Sequence, residues 1–265
     1  MTQDSSRRRP RFVDGRLAAV LLPILGIAVL LAVWWLGVWA FDVQPFILPS
    51  PLAVARIYLE IPGELLGHVV VSTLETIEGY AIAVVAGLAF ALLVTGSRVV
   101  DRMFTPLLVA INAVPKVALA PLVMVWFGLG QLSRVILVFL VCFFPIVVSA
   151  VAGFTTTPAD LAELARSLSA SRRQTFIKVR VPAALPHIFV GLKVGVVLAV
   201  IGATVSELTG ASEGLMYAVQ TYGGQGETAP AMAALGLLAA ISIVLFYLLV
   251  ALERRVIPWA RYTAG

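Results

Sequence analysis

Charge is what this sequence has least of. Only 12% of its 265 residues are Asp, Glu, Lys or Arg, against 60% that are hydrophobic, where a soluble domain carries about a quarter charged and about half apolar residues. A chain of this size cannot cover itself in water with so few polar side chains, so soluble enzymes and binding modules are excluded and lipid must solvate most of the surface. Cysteine is nearly absent as well. The single Cys142 lies in an apolar run, reads as a small buried or lipid-facing hydrophobe, and rules out an intrachain disulfide. The two histidines, His68 and His187, form no metal-ligand cluster. There is no G-x-x-x-x-G-K-[ST], no G-x-S-x-G and no H-E-x-x-H, which argues against ATP hydrolysis by this chain and against serine or zinc hydrolases.

What the chain does have is apolar length. Each membrane crossing takes about 20 apolar residues, so 265 residues hold about six crossings with their loops. Candidate spans are 17–41, 69–95, 104–126, 135–153, 188–208 and 231–252, which makes this an all-α, six-helix membrane protein. The basic run Arg7, Arg8, Arg9, Arg11 and Arg16 looks like the start of a signal peptide. The stretch behind it is too long for one and lacks a small-x-small cleavage site, so it reads as a retained first helix behind a cytoplasmic tail, 1–16. Lys and Arg then set the topology. With the amino end in the cytoplasm, that side also holds Arg98, Arg102, five basic residues from Arg166 to Arg180, and Arg254, Arg255 and Arg261, while the other side holds only Arg56 and Arg134. Both termini are therefore expected in the cytoplasm, with a short tail at 260–265. The sequence pI of about 9.7 is an orientation signal, not the mark of a nucleic-acid partner.

One long polar segment, 155–186, interrupts the pattern on the cytoplasmic side. Thr157 as N-cap, Pro158 at the first position and Asp160 in the first turn are a helix start. Leu161, Leu164, Ala165 and Leu168 then recur at helical spacing to give a short amphipathic helix. Such a helix packs on its own protein, anchors at the surface or docks a partner. Arg166, Arg172 and Arg173 serve either as polar docking contacts or as a solvated positive-inside face.

Charged groups inside spans are costly and usually face the bundle interior. Glu75 and Glu78 share a helix face near the outer start of the second span and are candidates for a pore mouth. Lys116 and Lys193 lie toward the cytoplasmic ends of their spans, where long side chains snorkel. Glu207, near the outer end of the fifth span, is the strongest candidate for a pathway carboxylate. Pro106, Pro115 and Pro121 break the helical ladder of the third span. Non-helical backbone at that depth is tolerated only against protein or a water-filled cavity, so Pro115, Lys116 and Pro121 mark a candidate pathway or gate.

The polar segment also carries a family resemblance. Glu163-Leu164-Ala165-Arg166-Ser167-Leu168-Ser169-Ala170, followed by Val179-Arg180-Val181-Pro182 and Pro186, resembles the EAA loop of bacterial ABC importer permeases. In that pattern a glycine stands six residues after the Glu and a hydrophobic-x-hydrophobic-Pro element ten residues beyond it. Here Ser169 stands in the glycine position and Leu164 replaces an alanine, and the serine bears on a turn where glycine relieves a tight or left-handed backbone. Pro115 to Gly130, Phe143-Phe144-Pro145, Pro49-Ser50-Pro51, Glu207 ahead of Gly214, and Glu253 to Trp259 resemble the nitrate, sulfonate and taurine branch of that family. The resemblance covers residues 17–259. It implies a type I ABC importer permease bundle with a cytoplasmic coupling helix, moving its solute by alternating access. The implied partners are a second permease copy, two cytoplasmic ATPase subunits that bind the ATP and Mg2+, and an extracytoplasmic solute-binding protein. Docking to the ATPase would fall to Leu161, Glu163, Ala165, Arg166, Leu168, Ser169, Ala170, Arg172, Arg173 and Pro182. Nitrate, taurine and other sulfonates, a pyrimidine thiamine precursor and riboflavin are the implied solutes. An ion-coupled secondary transporter is the alternative class, although no internal repeat of the kind such transporters often carry is visible.

Overall fold

The computed structural model describes residues 16–156 and 159–259. Among these residues the helices are α1 (Arg16–Ala40), α2 (Pro51–Glu60), α3 (Pro62–Gly96), α4 (Arg98–Asn112), α5 (Ala120–Phe127), α6 (Gln131–Thr155), α7 (Ala159–Ser167), α8 (Arg172–Thr175), α9 (Val181–Leu208), α10 (Leu215–Gly224) and α11 (Thr228–Val256). A 3-10 turn at Lys116–Leu119 leads into α5, and a π-helical turn at Phe176–Arg180 leads into α9. Five runs are long and apolar enough to cross a membrane: α1, α3, α6, the continuous stretch Arg172–Leu208, and α11. Counting α4 and α5 as one broken span gives six. Thr157, Pro158 and both terminal tails, expected above to begin a helix and to carry orienting charge, lie outside the described residues.

The stretch 104–126 is not one helix. The segments Arg102–Asn112 and Lys116–Phe127 meet at 79°, because Pro115 withdraws a backbone donor at the break and is extended rather than helical, while Pro121 sits in the first turn of α5, where it is tolerated. The stretch 69–95 lies within α3, which starts earlier, with Pro62 supplying a favourable first helical residue.

The core is the packing of α3, α6 and α9. Lipid is as apolar as a leucine side chain, so helices in a bilayer gain little from hiding apolar surface from it and associate through close contact. Both α3 and α9 carry small residues one turn apart for that purpose: Gly79, Ala83, Gly87 and Ala91 on α3, and Gly191, Gly195, Ala199, Gly202 and Ala203 on α9. Both stripes face α6. A Cβ added to Gly79 would lie 2.5 Å from Val138 Cβ, and one added to Gly191 would lie 2.5 Å from Ser149 Cβ. Between the stripes α6 places Val138, Cys142, Ile146 and Val147, all buried.

The outer helices are held by fewer, more specific contacts. Tyr58 of α2 donates to Ala233 O of α11 at 3.0 Å, and Gly236 leaves room for that ring, since a Cβ there would lie 2.6 Å from the Tyr58 hydroxyl. Farther along, Lys193 of α9 pairs with Glu253 of α11 at 2.8 Å. Helix α1 buries none of its apolar span within this chain and leaves it to lipid or to a partner.

Candidate functional site

At one end of the bundle, α7 stands away from the core. Its apolar face is open, with Leu161, Leu164 and Leu168 at 43%, 55% and 72% exposure, while Ala165 is buried. Beside it lies a groove of about 340 Å³ lined by these residues with Gln174, Lys178 and Val179. Glu163, Ser169, Arg172 and Arg173 are exposed around it. Arg166 falls in α7 and Pro182 in the first turn of α9. The loop geometry explains the expected glycine. Ser169 has φ +53°, and Ala170 N–H donates back to Ala165 O at 2.9 Å, the 6→1 closure of a helix ending in a left-handed residue. Ser171 then starts α8 with a reciprocal capping box to Gln174. From there the chain is tied to the core, with Phe176 stacked on Phe154 of α6 at 6.1 Å. At Gly153 the backbones pass so closely that a Cβ would lie 2.8 Å from Ala184 O of α9.

The opposite end holds a buried polar cluster. Arg134 of α6 pairs with Glu75 of α3 at 3.0 Å, and Glu75 is 2% exposed. Glu78, also on α3 but exposed, accepts from Gln131 Nε2 at 2.8 Å, so both carboxylates turn toward the first residues of α6. Glu207 is fully buried. It accepts from Ser72 Oγ at 2.5 Å and from Met216 N–H at 2.7 Å. Both carboxylates are buried and engaged within the chain, Glu75 by Arg134 and Glu207 by Ser72 and Met216. Arg134 is the residue that sequence reasoning missed: it counts as an outer-loop charge, yet it is in the first turn of α6.

Between the two ends lies the α4–α5 break. Lys116 sits on it beside Phe144, halfway along α6, with Nζ 5.0 Å from the ring centroid. Its ammonium donates to Asn112 Oδ1 at 2.8 Å. This is mid-height of the bundle, not the end to which a lysine would snorkel. Lys193 is paired with Glu253, in the last turn of α11, at 2.8 Å. Among the described residues no group of three or more His, Cys, Asp or Glu side chains is placed to hold a metal ion.

Residues 83–258 match the family model of the binding-protein-dependent transport system inner membrane component. The chain belongs to this family. It is 36% identical over 229 residues to a probable ABC transporter permease protein of Haemophilus influenzae, covering 86% of this chain and 93% of that one. It is 34% identical over 242 residues to the formylaminopyrimidine transport permease of Halalkalibacterium halodurans, covering 91% and 96%. To the taurine transport system permease of Escherichia coli it is 33% identical over 247 residues, covering 91% and 90%. In fold it matches a chain of the inward-facing MetNI methionine ABC transporter with a TM-score of 0.54 at 18% identity, over 74% of this chain and 93% of that one. The protein is thus a multi-pass membrane permease component of an ABC importer, a transport subunit and not an enzyme. The ion-coupled alternative finds no support.

Proposed function

We propose that two copies of this permease enclose a pathway for a small polar solute, and that α7 of each docks a cytoplasmic ATPase subunit which binds ATP and Mg2+. The observation that carries this reading is the open leucine face of α7, held by a tight turn and joined at once to α6 and α9. A contiguous exposed apolar face on a short helix with so little packing of its own favours a partner groove. Leu161, Ala165 and Leu168 supply the apolar contact, and Glu163, Arg166, Arg172 and Arg173 supply polar ones at its edge. The charge distribution favours the same orientation: Arg102, Arg172, Arg173, Lys178, Arg180, Arg254 and Arg255 cluster toward the α7 end, against Arg56 and Arg134 at the other. The α10 end then faces outward and receives a solute-binding protein, and both termini lie in the cytoplasm.

The α4–α5 break with Pro115, Lys116 and Pro121 is the proposed constriction, and Glu78 lies nearer the outer mouth. Lys116 offers N–H donors at mid-depth, which suits a solute rich in hydrogen-bond acceptors. Sulfonate oxygens and the carbonyl groups of a formylaminopyrimidine or a flavin share that chemistry. Copurification and uptake test the reading. Leu161→Asp with Leu168→Asp is expected to abolish recovery of the ATPase with the permease while leaving the permease in the membrane. Undiminished recovery would refute docking through α7. Uptake by vesicles holding the complex, supplied in turn with sulfonate-, pyrimidine- and flavin-loaded binding proteins, identifies the solute.

A further inference from the structure

Three side chains outside the proposed pathway converge on the first turn of α10. The N–H groups of Gly214, Leu215 and Met216 donate to His68 Nδ1 at 3.2 Å, Ser72 Oγ at 2.8 Å and Glu207 Oε2 at 2.7 Å. The Ser72 hydroxyl in turn donates a hydrogen bond to Glu207 Oε1 at 2.5 Å. An α-helix leaves its first N–H groups without internal partners, and usually a neighbouring Ser, Thr, Asp or Asn takes one of them. Helix α10 has no such neighbour, because its N-cap is Gly214. Its acceptors come from two other helices, His68 and Ser72 one turn apart on α3 and Glu207 at the end of α9. The backbone is shaped to the carboxylate: Gly214 has φ +115°, and a Cβ on it would run into the Glu207 carboxylate. Ser72 and Glu207 are buried. Glu75, the next polar residue along this side of α3, holds Arg134 of α6.

We propose that His68, Ser72 and Glu207 are positioning residues that fix the first turn of α10 to α3 and α9, so that this end of the bundle moves as one body during transport. Glu207 acts through α10 and does not meet the solute. Glu207 has no exposed surface, and its carboxylate cannot turn toward a passing molecule without giving up the Met216 N–H, which lacks another partner.

The transport arm of the test rests on the importer reading, and the structural arm does not. Hydrogen exchange of the 209–218 segment in the intact complex, in lipid, reads the cap directly. In Ser72→Ala and in Glu207→Gln, exchange at Gly214 to Met216 is expected to rise by about tenfold or more as the turn opens locally. Uptake by the same complexes is expected to lose maximal rate by a similar factor in both variants, with the half-saturating solute concentration unchanged. The double variant is expected to be little worse than either single one, since both remove the same tie. If Glu207→Gln does not assemble, Ser72→Ala, which deletes one oxygen, carries the same readouts. Unchanged exchange in these variants would overturn the proposal. So would a shift in half-saturation with Glu207→Gln that Ser72→Ala does not share, since that would put Glu207 on the solute. Absence of uptake by the unmodified complex with every solute class would refute the proposed solutes and leave the exchange result to decide the cap.

Discussion

Adding one methyl group to a glycine of α3 should have opposite effects at two places on the same helix. At Gly79 the new Cβ lies 2.5 Å from Val138 Cβ, 2.6 Å from Val138 Cγ1 and 2.8 Å from Val135 O, whereas carbon atoms rest about 3.5–4.0 Å apart. One of these partners is backbone, so a rotamer change at Val138 cannot clear the clash, and α3 and α6 must part by about 1 Å. Overpacking of this kind costs about 1–3 kcal/mol. Replacing glycine with alanine in a helix recovers up to about 1 kcal/mol, which leaves Gly79→Ala less stable than the parent by up to about 2 kcal/mol and less stable than Gly67→Ala by about 1–3 kcal/mol. At Gly67 nothing lies within 4 Å of the added Cβ, so only the helix-favouring effect remains and the variant should match or exceed the parent. Gly87 falls between, with its first contact at 3.1 Å to Ile146 Cγ2, a side-chain methyl that has some freedom to move. Unfolding in mixed micelles by titrated denaturing detergent should therefore order the three variants Gly67→Ala, Gly87→Ala, Gly79→Ala from most to least stable. The assembled complex should show the same order in its thermal inactivation. If Gly79→Ala proves as stable as Gly67→Ala, the close approach of α3 and α6 is not what holds the core, and the role given to the small-residue stripes fails.

Other perturbations follow from the same contacts. Arg134→Met leaves the Glu75 carboxylate buried without its partner and should destabilise the permease by about 3–5 kcal/mol, with much of the loss restored when Glu75→Leu is added; equal instability of the single and double variants would refute the pairing. Ser169→Gly should stabilise the α7 turn by about 0.5–1 kcal/mol, because relief of the left-handed conformation at φ +53° exceeds the added chain entropy. ATPase recovery should then be at least as high as in the parent, and a loss would mean that the Ser169 side chain is itself a contact. Tyr222 donates to Glu64 at 2.6 Å, and burial first, then this carboxylate, pushes its hydroxyl up to about 12. A raised folded pKa means the folded state holds the proton longer, so this contribution is complete below about pH 10, the ordinary tyrosine value, and is lost as pH rises toward 12. Tyr222→Phe should remove that part of the alkaline destabilisation.

Much of this fold is legible in the sequence, because a bilayer demands long apolar runs and five of them recur as long helices. The proline run of the third span signalled a break, although its 79° angle depends on how α4 and α5 meet α6, which no local pattern encodes. Ser169 is informative in the same way: the expected glycine indicated a left-handed residue, and the chain keeps that conformation with the less suited side chain. The buried ties were harder to read. Glu75 and Glu78 share a helix face, which their spacing gives, but only the packing shows Arg134 and Gln131 across from them. Glu207 looked like a pathway group because a carboxylate in an apolar span is costly. That cost is offset by the Met216 N–H, nine residues away, and a hydroxyl 135 residues away, and contacts at that separation leave no periodic signal.

Alternating access requires two arrangements of one bundle, and the packing bears on where the change falls. Glycine backbones of α3 and α9 interlock with side chains of α6, so sliding along that seam would meet atoms at almost every turn, and well-packed cores switch between discrete states more readily than they deform. The α4–α5 break makes few such contacts and already departs from helical hydrogen bonding, so its backbone angles change at lower cost. A push on α7 reaches α6 through the Phe176–Phe154 stack and reaches α9 through the continuous turn at Phe176–Arg180, the two helices that are locked together. Force delivered at α7 is therefore expected to turn α3, α6 and α9 as one unit, with the bend at Pro115 taking up the difference.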